Sequence, residues 1–148
     1  MTTYNSTLLF NPTQAARVLV VDDDIDTTDL LKIILEPNAF EVFTANSGLE
    51  GVEMVRELNP DVVILDLLMP GLDGMGVCKE VRQFSQVPIL VLSAVSKPGI
   101  VAEALNVGAD DYLTKPMKSS VLIAHLKKLV RRSRAEQDAN RENQPSPE

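Results

Sequence analysis

The chain alternates between short apolar segments and segments of helical periodicity, and it repeats this pair five times from Arg17 onward. The apolar segments are about five residues long and rich in branched aliphatic residues, which is typical of strands covered on both faces. Five such pairs predict an α/β fold, a doubly wound, five-stranded parallel sheet with helices on both faces. The predicted strands lie at about 17–22, 40–44, 61–65, 88–92 and 110–114.

The helical segments carry apolar residues three or four positions apart, which we expect to face the core. In the first two helices these residues are Ile25, Leu31, Ile34, Leu35, Leu49, Val52 and Val55. Asp24 is placed to cap the first helix, and Ser47 with Glu50 predicts a capping box at the start of the second. The fifth helix has the clearest apolar stripe, formed by Leu122, Ile123, Leu126, Leu129 and Val130.

Polar side chains stand where four of the predicted strands end. Asp22 and Asp23 end the first strand, Asp66 follows the third, Ser93 closes the fourth, and Lys115 follows the fifth. The carboxyl ends of parallel strands lie along one edge of a sheet, which is where open α/β sheets bind ligands. We therefore expect three carboxylates, a hydroxyl and an ammonium group to meet at this edge.

This set of groups has the chemistry of a metal and phosphate site. Asp66 is the candidate nucleophile or metal ligand, because a carboxylate can attack a phosphoryl group and form an acyl phosphate. Asp22 and Asp23 are placed to hold Mg²⁺, and Lys115 and Ser93 to contact phosphoryl oxygens. Each residue alone has an ordinary interpretation, as a turn former, a loop serine or a surface lysine. Four strand ends with complementary chemistry favour the functional interpretation.

The charge of the chain is uneven. The net charge is −7, but residues 1–114 carry 6 Lys/Arg against 17 Asp/Glu and residues 115–148 carry 8 against 4. The negative main body disfavours a nucleic-acid surface. No stretch is apolar enough to cross a membrane and no leader opens the chain, so we expect a cytoplasmic protein. Cys78 is the only cysteine, which rules out an intrachain disulfide.

Composition and patterning divide the chain into three parts. Residues 1–16 are polar and lack periodicity, and we expect them to form a flexible arm. Residues 17–133 form one domain of ordinary size. Residues 134–148 have no apolar side to bury, so we expect a disordered tail or linker.

Four segments give the chain a resemblance to a known family. They are Val-Leu-Val-Val-Asp-Asp-Asp at 18–24, Pro-Asp-Val-Val-Ile-Leu-Asp-Leu-Leu-Met-Pro-Gly-Leu-Asp-Gly at 60–74, Pro-Ile-Leu-Val-Leu-Ser-Ala at 88–94 and Gly-Ala-Asp-Asp-Tyr-Leu-Thr-Lys-Pro at 108–116. With these four segments in this order, the chain resembles a response-regulator receiver domain of two-component signalling over roughly 17–132. The sequence at 110–116 is most similar to that of receivers attached to winged-helix DNA-binding domains. The resemblance implies a flavodoxin-like sheet with strand order 2-1-3-4-5.

The resemblance also implies a function and a set of roles. Asp66 would accept a phosphoryl group from a histidine kinase or phosphotransfer protein. The Mg²⁺ ligands would be Asp22, directly or through water, with Asp23, Asp66 and the backbone carbonyl of Leu68. The remaining roles would fall to Lys115, which would bind the phosphoryl group, Pro116, which would follow a cis bond, and Ser93 and Tyr112, which would move as a switch. Such a domain is not an enzyme beyond assisting its own phosphorylation and slow autodephosphorylation.

The chain departs from the family pattern at positions that affect the lifetime of the phosphoryl group and at positions that affect dimerisation. Leu68 and Val95 occupy the positions that tune phosphoryl lifetime, and neither can orient a hydrolytic water, so we expect a long-lived phosphorylated form. Val101 and His125 stand where arginines usually support a dimer through helix four, strand five and helix five. We therefore expect at most a weak dimer, through an apolar patch around Ile100, Val101 and Val121.

Three other interpretations were weighed. A phosphatase of the haloacid dehalogenase type would place a second acid two residues after the nucleophile, where this chain has Leu68. A flavin or nucleotide binder would want a phosphate-binding loop after strand one, where the acids would repel phosphate. A degenerate receiver that acts as a phosphorylation-independent protein-binding module predicts a damaged site, yet every site residue is present.

Overall fold

A computed structural model describes residues 14–143 and confirms the predicted fold class. The strands are β1 Ala16–Val21, β2 Phe40–Ala45, β3 Val62–Leu65, β4 Ile89–Ser93 and β5 Asp111–Thr114. The helices are α1 Ile25–Leu35, α2 Gly48–Leu58, α3 Gly74–Arg82, α4 Pro98–Asn106 and α5 Ser119–Glu142. All neighbouring strands are parallel, in the order β2-β1-β3-β4-β5.

The register of the sheet brings the strand ends to a common edge. Val21 at the end of β1 pairs with Ala45 on β2 and with Leu65 on β3, the last residues of those strands. On the other side, Ser93 at the end of β4 pairs with Thr114 at the end of β5. The polar residues that follow these positions therefore start from one edge, as the sequence predicted.

Each face of the sheet has its own apolar core. Helices α2, α3 and α4 cover one face, where Leu19, Val21, Val63, Leu65, Val55, Val77, Cys78 and Ala104 are buried. Helices α1 and α5 cover the other face, where Val18, Val20, Ile64, Leu90, Leu31, Leu35, Leu122 and Leu126 are buried. The central strands are buried on both sides, which explains their unbroken aliphatic sequence.

Two residues predicted to face the core are exposed instead. Ile25 is 60% exposed and Leu49 is 70% exposed, whereas Leu31, Leu35 and Val55 are buried. Ile25 and Leu49 lie in the first turn of α1 and α2, at the edge of the sheet that carries the acids. Apolar periodicity identified the helices correctly but did not show that their first turns extend past the sheet.

The predicted caps are present, with one difference. The Asp24 side chain accepts a hydrogen bond from Asp26 N–H, and the Ser47 hydroxyl accepts one from Glu50 N–H. The Glu50 carboxylate accepts from Asn46 N–H at 2.7 Å, one residue before the position that a capping box uses. Both helices are therefore fixed at the ends that approach the acidic edge.

The prediction of a disordered tail from residue 134 is wrong as far as Glu142, because α5 continues to that residue. A helix already docked on a sheet extends without a new nucleation step, so the extension needs no apolar face of its own. Arg134 also anchors it, with its guanidinium 3.6 Å from the Asp61 carboxylate and 3.3 Å from the Gln14 carbonyl. The predicted flexible arm at 1–16 is wrong at its last residue, because Ala16 belongs to β1. Residues 1–13 of that arm and residues 144–148 of the tail lie outside the described residues. Among the described helices, none is both long and apolar enough to span a membrane.

Candidate functional site

Three carboxylates meet beyond the ends of β1 and β3. Asp22 is buried, Asp66 is partly buried and Asp23 is exposed. One oxygen from each of the three lies within 4.8 Å of the others. Backbone hydrogen bonds hold the two buried positions, because Asp22 N–H donates to the Ala45 carbonyl and Asp66 N–H donates to the Val21 carbonyl. Asp22 and Asp66 therefore continue the backbone hydrogen bonding of the sheet by one residue beyond β1 and β3.

Lys115 neutralises the most buried of the three acids. Its ammonium nitrogen lies 3.1 Å from Asp22 Oδ2, and Asp22 Oδ1 accepts a hydrogen bond from Asp24 N–H at 3.0 Å. Lys115 N–H donates to the Ser93 carbonyl at 2.8 Å, which fixes the lysine at the end of β4. The bond between Lys115 and Pro116 is cis, as the resemblance implied. Within residues 14–143 the ion pair of Lys115 is with Asp22 and not with Asp66.

The electrostatics of Asp66 favour its neutral form more than an ordinary aspartate does. Burial raises the pKa of Asp66, the Lys115 charge opposes that rise, and the Asp22 charge adds to it. The Leu68 N–H donates to Asp66 Oδ1 at 3.4 Å. A cation placed between Asp66 and its neighbouring acids would remove most of this repulsion.

The cluster fits a divalent cation of the magnesium type. Mg²⁺ binds oxygen ligands at about 2.1 Å, so any two ligand oxygens stand at most about 4.2 Å apart. The three carboxylate oxygens lie within 4.8 Å of one another, so a shift of at most about 0.6 Å would bring each pair into that range. The exposed Asp23 side chain is free to move by that amount.

The side chains of Ser93 and Tyr112 both hydrogen-bond to Val95, in the loop after β4. Ser93 is fully buried, and its hydroxyl accepts a hydrogen bond from Val95 N–H at 3.3 Å. The Tyr112 hydroxyl donates to the Val95 carbonyl at 2.5 Å. Burial raises the pKa of Tyr112, the Ser93 hydroxyl opposes that rise, and the negative charge of Asp66 adds to it. The Tyr112 hydroxyl thus ties β5 to the loop after β4.

An apolar cleft of about 420 Å³ opens beside the acids, between the loops that follow β3 and β4. Leu68 and Val95 both line it, and the other lining residues are the apolar Leu67, Met75 and Ile100 and the charged Asp73, Lys97 and Glu103. Leu68 is 60% exposed at the rim. The two positions singled out for phosphoryl lifetime therefore share one apolar surface.

Asn46 is a site residue that the sequence reasoning missed. Its amide donates to the Asp22 carbonyl at 2.9 Å and to the Thr28 hydroxyl at 3.2 Å, and Thr28 is buried. Asn46 thus ties the end of β2 to the end of β1 and to α1. The sequence did contain a sign of this role, because Asn46 is a polar residue directly after β2. With Asn46, each of the five strands has a polar residue at its carboxyl end.

The acids near β5 have partners within the chain. Asp110 lies 3.0 Å from Arg82 and 2.6 Å from Arg132, and Asp111 lies 2.5 Å from His125. His125 is partly exposed. The acids that would support a charged dimer contact are therefore already occupied inside one copy.

Residues 18–127 match the family model described as response regulator receiver domain. The chain belongs to the response-regulator receiver family. Receivers of this family are signalling domains, and they interact with histidine kinases or phosphotransfer proteins. The acidic cluster of this receiver lies where the family motifs predicted it.

Known relatives and solved structures agree with this assignment. The receiver is 40% identical over 121 residues to the DNA-binding response regulator MtrA of Mycobacterium tuberculosis, covering 82% of this chain and 53% of that protein. The MtrA of Mycobacterium leprae is 41% identical over 117 residues, covering 79% and 52%. The chain thus spans about half the length of these relatives.

Among solved structures, the receiver domain of the Francisella response regulator 1452 is 35% identical, with a TM-score of 0.76 over 80% of this chain and 98% of that one. The Vibrio cholerae chemotaxis protein CheY4 is 34% identical, with a TM-score of 0.74 over 78% and 98%.

Proposed function

We propose that this receiver is phosphorylated on Asp66 by a histidine kinase or a phosphotransfer protein, in a reaction that depends on Mg²⁺. The observation that carries the proposal is the convergence of three carboxylates and one ammonium group at the carboxyl edge of the sheet. In the transfer, an Asp66 oxygen forms a bond to phosphorus while the phosphorus–nitrogen bond of a phosphohistidine breaks. The electron pair returns to the imidazole nitrogen.

Asp22, Asp23, Asp66 and the Leu68 backbone carbonyl are the residues that would hold Mg²⁺. The bound ion would offset the negative charge of the phosphoryl oxygens during transfer. Asp22 contributes a fixed carboxylate, since it is buried and held by Lys115 and by Asp24 N–H. Asp23 contributes a movable one, because it is exposed.

In this proposal Lys115 pairs with the Asp22 carboxylate before phosphorylation and with the phosphoryl group on Asp66 after it. Its ammonium binds Asp22 in the absence of a phosphoryl group. A phosphoryl group on Asp66 would attract the same ammonium, because it replaces the one negative charge of the carboxylate with up to about two on the phosphoryl oxygens. Lys115 would then shift from Asp22 toward the phosphoryl group.

The switch would run through Ser93 and Tyr112. The Ser93 hydroxyl accepts a hydrogen bond from Val95 N–H, and its own O–H would donate to a phosphoryl oxygen, which would draw Ser93 away from Val95. A move of Ser93 alters the loop whose carbonyl accepts from Tyr112. The outcome is a changed surface along α4, β5 and α5, produced by a local change in charge.

The phosphorylated form is long-lived in this proposal. Hydrolysis needs a water held in line with the phosphorus–oxygen bond, and Leu68 and Val95 have no group that orients one. Both line the same apolar cleft beside Asp66, which supports the exclusion of an ordered water.

Output and assembly follow from the same surface. We propose at most a weak homodimer through α4, β5 and α5, with Val121 at 41% exposure as one apolar contact. The pairing of Asp110 and Asp111 within one copy supports a weak contact. The domain itself would not bind nucleic acid, and it would act in the cytoplasm.

The test is the intact mass of the protein after incubation with acetyl phosphate and Mg²⁺. We expect a single phosphoryl adduct that disappears in Asp66→Asn and in the presence of a chelator. Asp29→Asn, which changes an exposed acid of α1 outside the cluster, should keep the adduct. No adduct on the unaltered protein, with Mg²⁺ binding still detectable, would instead favour a phosphorylation-independent binding module.

A further inference from the structure

A second surface lies at the opposite end of the sheet from Asp66. It is a groove of about 280 Å³ between α5 and the first residues of β1 and β2. Three buried apolar residues contribute to its wall, namely Ala16, Phe40 and Val130, each 5–6% exposed. None of the residues assigned to the phosphorylation site lines this groove, nor do the switch residues Ser93 and Tyr112.

The charge of the groove is opposite to that of the protein. Lys127, Arg131 and Arg134 line it, and none of its lining residues within 14–143 is acidic. The whole chain carries −7. Arg134 is partly neutralised by Asp61 at 3.6 Å. Lys127 and Arg131 are exposed and make no ion pair with any residue that the structure describes.

The size of the groove limits its ligand. Pockets for cofactors and drug-sized ligands run from about 300 to 1,000 Å³, so 280 Å³ suits one large side chain better than a whole cofactor. Cations around an apolar wall are complementary to carboxylates around an apolar side chain. A nucleic acid has the complementary charge as well, but it would meet the strongly acidic surface of the rest of the domain.

We propose that this groove binds an acidic peptide segment of a partner protein, which inserts one leucine or phenylalanine side chain against Phe40 and Val130. The carboxylates of the segment would pair with Lys127 and Arg131. Since the groove is at the amino ends of the strands and Asp66 is at their carboxyl ends, such a partner can stay bound while Asp66 is phosphorylated.

The chain contains one competing occupant. Residues 8–10 are Leu-Leu-Phe, a few positions before Gln14, and they lie outside the described residues. Residues 1–13 contain no Asp or Glu, so they offer nothing to neutralise Lys127 and Arg131. Charge complementarity therefore favours an acidic partner over this segment.

Fluorescence anisotropy on the full 148-residue chain tests the proposal. The probes are labelled synthetic peptides, Glu-Glu-Leu-Phe-Glu-Glu and a control with Ser-Ser in place of Leu-Phe. We expect saturable binding of the first peptide and at least about tenfold weaker binding of the second. The double variant Lys127→Glu with Arg131→Glu should weaken binding of the first peptide by at least about tenfold.

A matched double variant distinguishes binding at the groove from general electrostatic attraction of the acidic peptide. Lys118→Glu with Lys128→Glu changes the net charge equally, and both lysines are exposed and outside the groove. Equal losses in the two double variants, equal binding of the two peptides, or no binding would each overturn the proposal. So would a tenfold gain in affinity when residues 8–10 are changed to serine, because the chain itself would then occupy the groove. Circular dichroism verifies that each variant is folded, and adduct formation from acetyl phosphate should be unchanged.

Discussion

The two ends of the sheet handle charge in opposite ways. At the carboxyl end, Asp22 is buried with its side chain 5% exposed, and Lys115 from a distant part of the chain neutralises it. At the amino end, Lys127 and Arg131 stand at the surface beside an apolar groove, and water solvates them. A buried charge depends on its partner for stability, whereas an exposed charge depends on it very little.

This difference separates structural from functional effects. Changes at the carboxyl end should alter folding, metal binding and chemistry together, because the same groups serve all three. Changes at the amino end should alter binding and leave folding nearly untouched. The following experiments test that contrast, from the largest expected effect to the smallest.

Lys115→Gln should have the largest effect on stability. It leaves the buried Asp22 carboxylate without its cation, and we expect a loss of about 2 kcal/mol in the free energy of unfolding without metal, below the full cost for a buried pair because Lys115 is partly exposed. Lys127→Gln should change it by less than about 0.5 kcal/mol. Urea denaturation measures both, and Mg²⁺ should recover part of the Lys115→Gln loss. Similar losses in both variants would break the contrast.

Leu68→Asn should shorten the life of the phosphoryl group. Its carboxamide can hold a water beside Asp66, and we expect dephosphorylation about tenfold faster, equal to about 1.4 kcal/mol of barrier. The decay of the mass adduct measures the rate. Leu49→Asn is the matched control, since Leu49 is also highly exposed but lies outside the cleft. Unchanged decay in Leu68→Asn would remove the case for water exclusion.

Tyr112→Phe should uncouple β5 from the loop after β4. The variant loses the hydrogen bond to the Val95 carbonyl, at a cost of about 1 kcal/mol in unfolding free energy. Amide hydrogen exchange should increase at residues 94–97, and adduct formation on Asp66 should persist. Protection of this loop at the level of the unaltered protein would mean that Tyr112 does not hold it.

Asp66→Asn should produce a small, pH-dependent gain in stability without metal. The pKa of Asp66 is raised in the folded state above its ordinary value of 3.8, so the folded protein binds this proton more tightly than the unfolded chain. The contribution of Asp66 to stability is therefore present below pH 3.8 and is lost as the pH rises through the folded pKa. Asparagine does not ionise, so the variant should be the more stable form at neutral pH only.

Thermal unfolding at pH 7 and near pH 3.5 measures this difference. Asp29→Asn, at an exposed acid of α1, should show no comparable gain at pH 7. A gain for Asp66→Asn that is the same at both pH values would exclude ionisation of Asp66 as its cause.

Local pattern was sufficient for most of the fold. Runs such as Val62–Leu65 required a strand covered on both faces, and strand–helix alternation with short connections leaves few topologies. The carboxyl edge followed from that topology, because parallel strands all end on the same side. The sequence alone therefore assigns Asp22, Asp66, Ser93 and Lys115 to one edge.

Long-range placement decided the rest. The sequence could not show that Lys115 binds Asp22 instead of Asp66, since two carboxylates near one ammonium differ only in distances set by packing. It could not show that Ile25 is exposed, because periodicity marks one side of a helix but not where the sheet beneath it ends. Nor could it show that α5 continues to Glu142, where docking of the preceding turns stabilises a segment with no apolar face. The sequence determined which groups meet, because local patterns fix the strands, and the tertiary structure determined which of them pair, because pairing depends on distances between residues far apart in the chain.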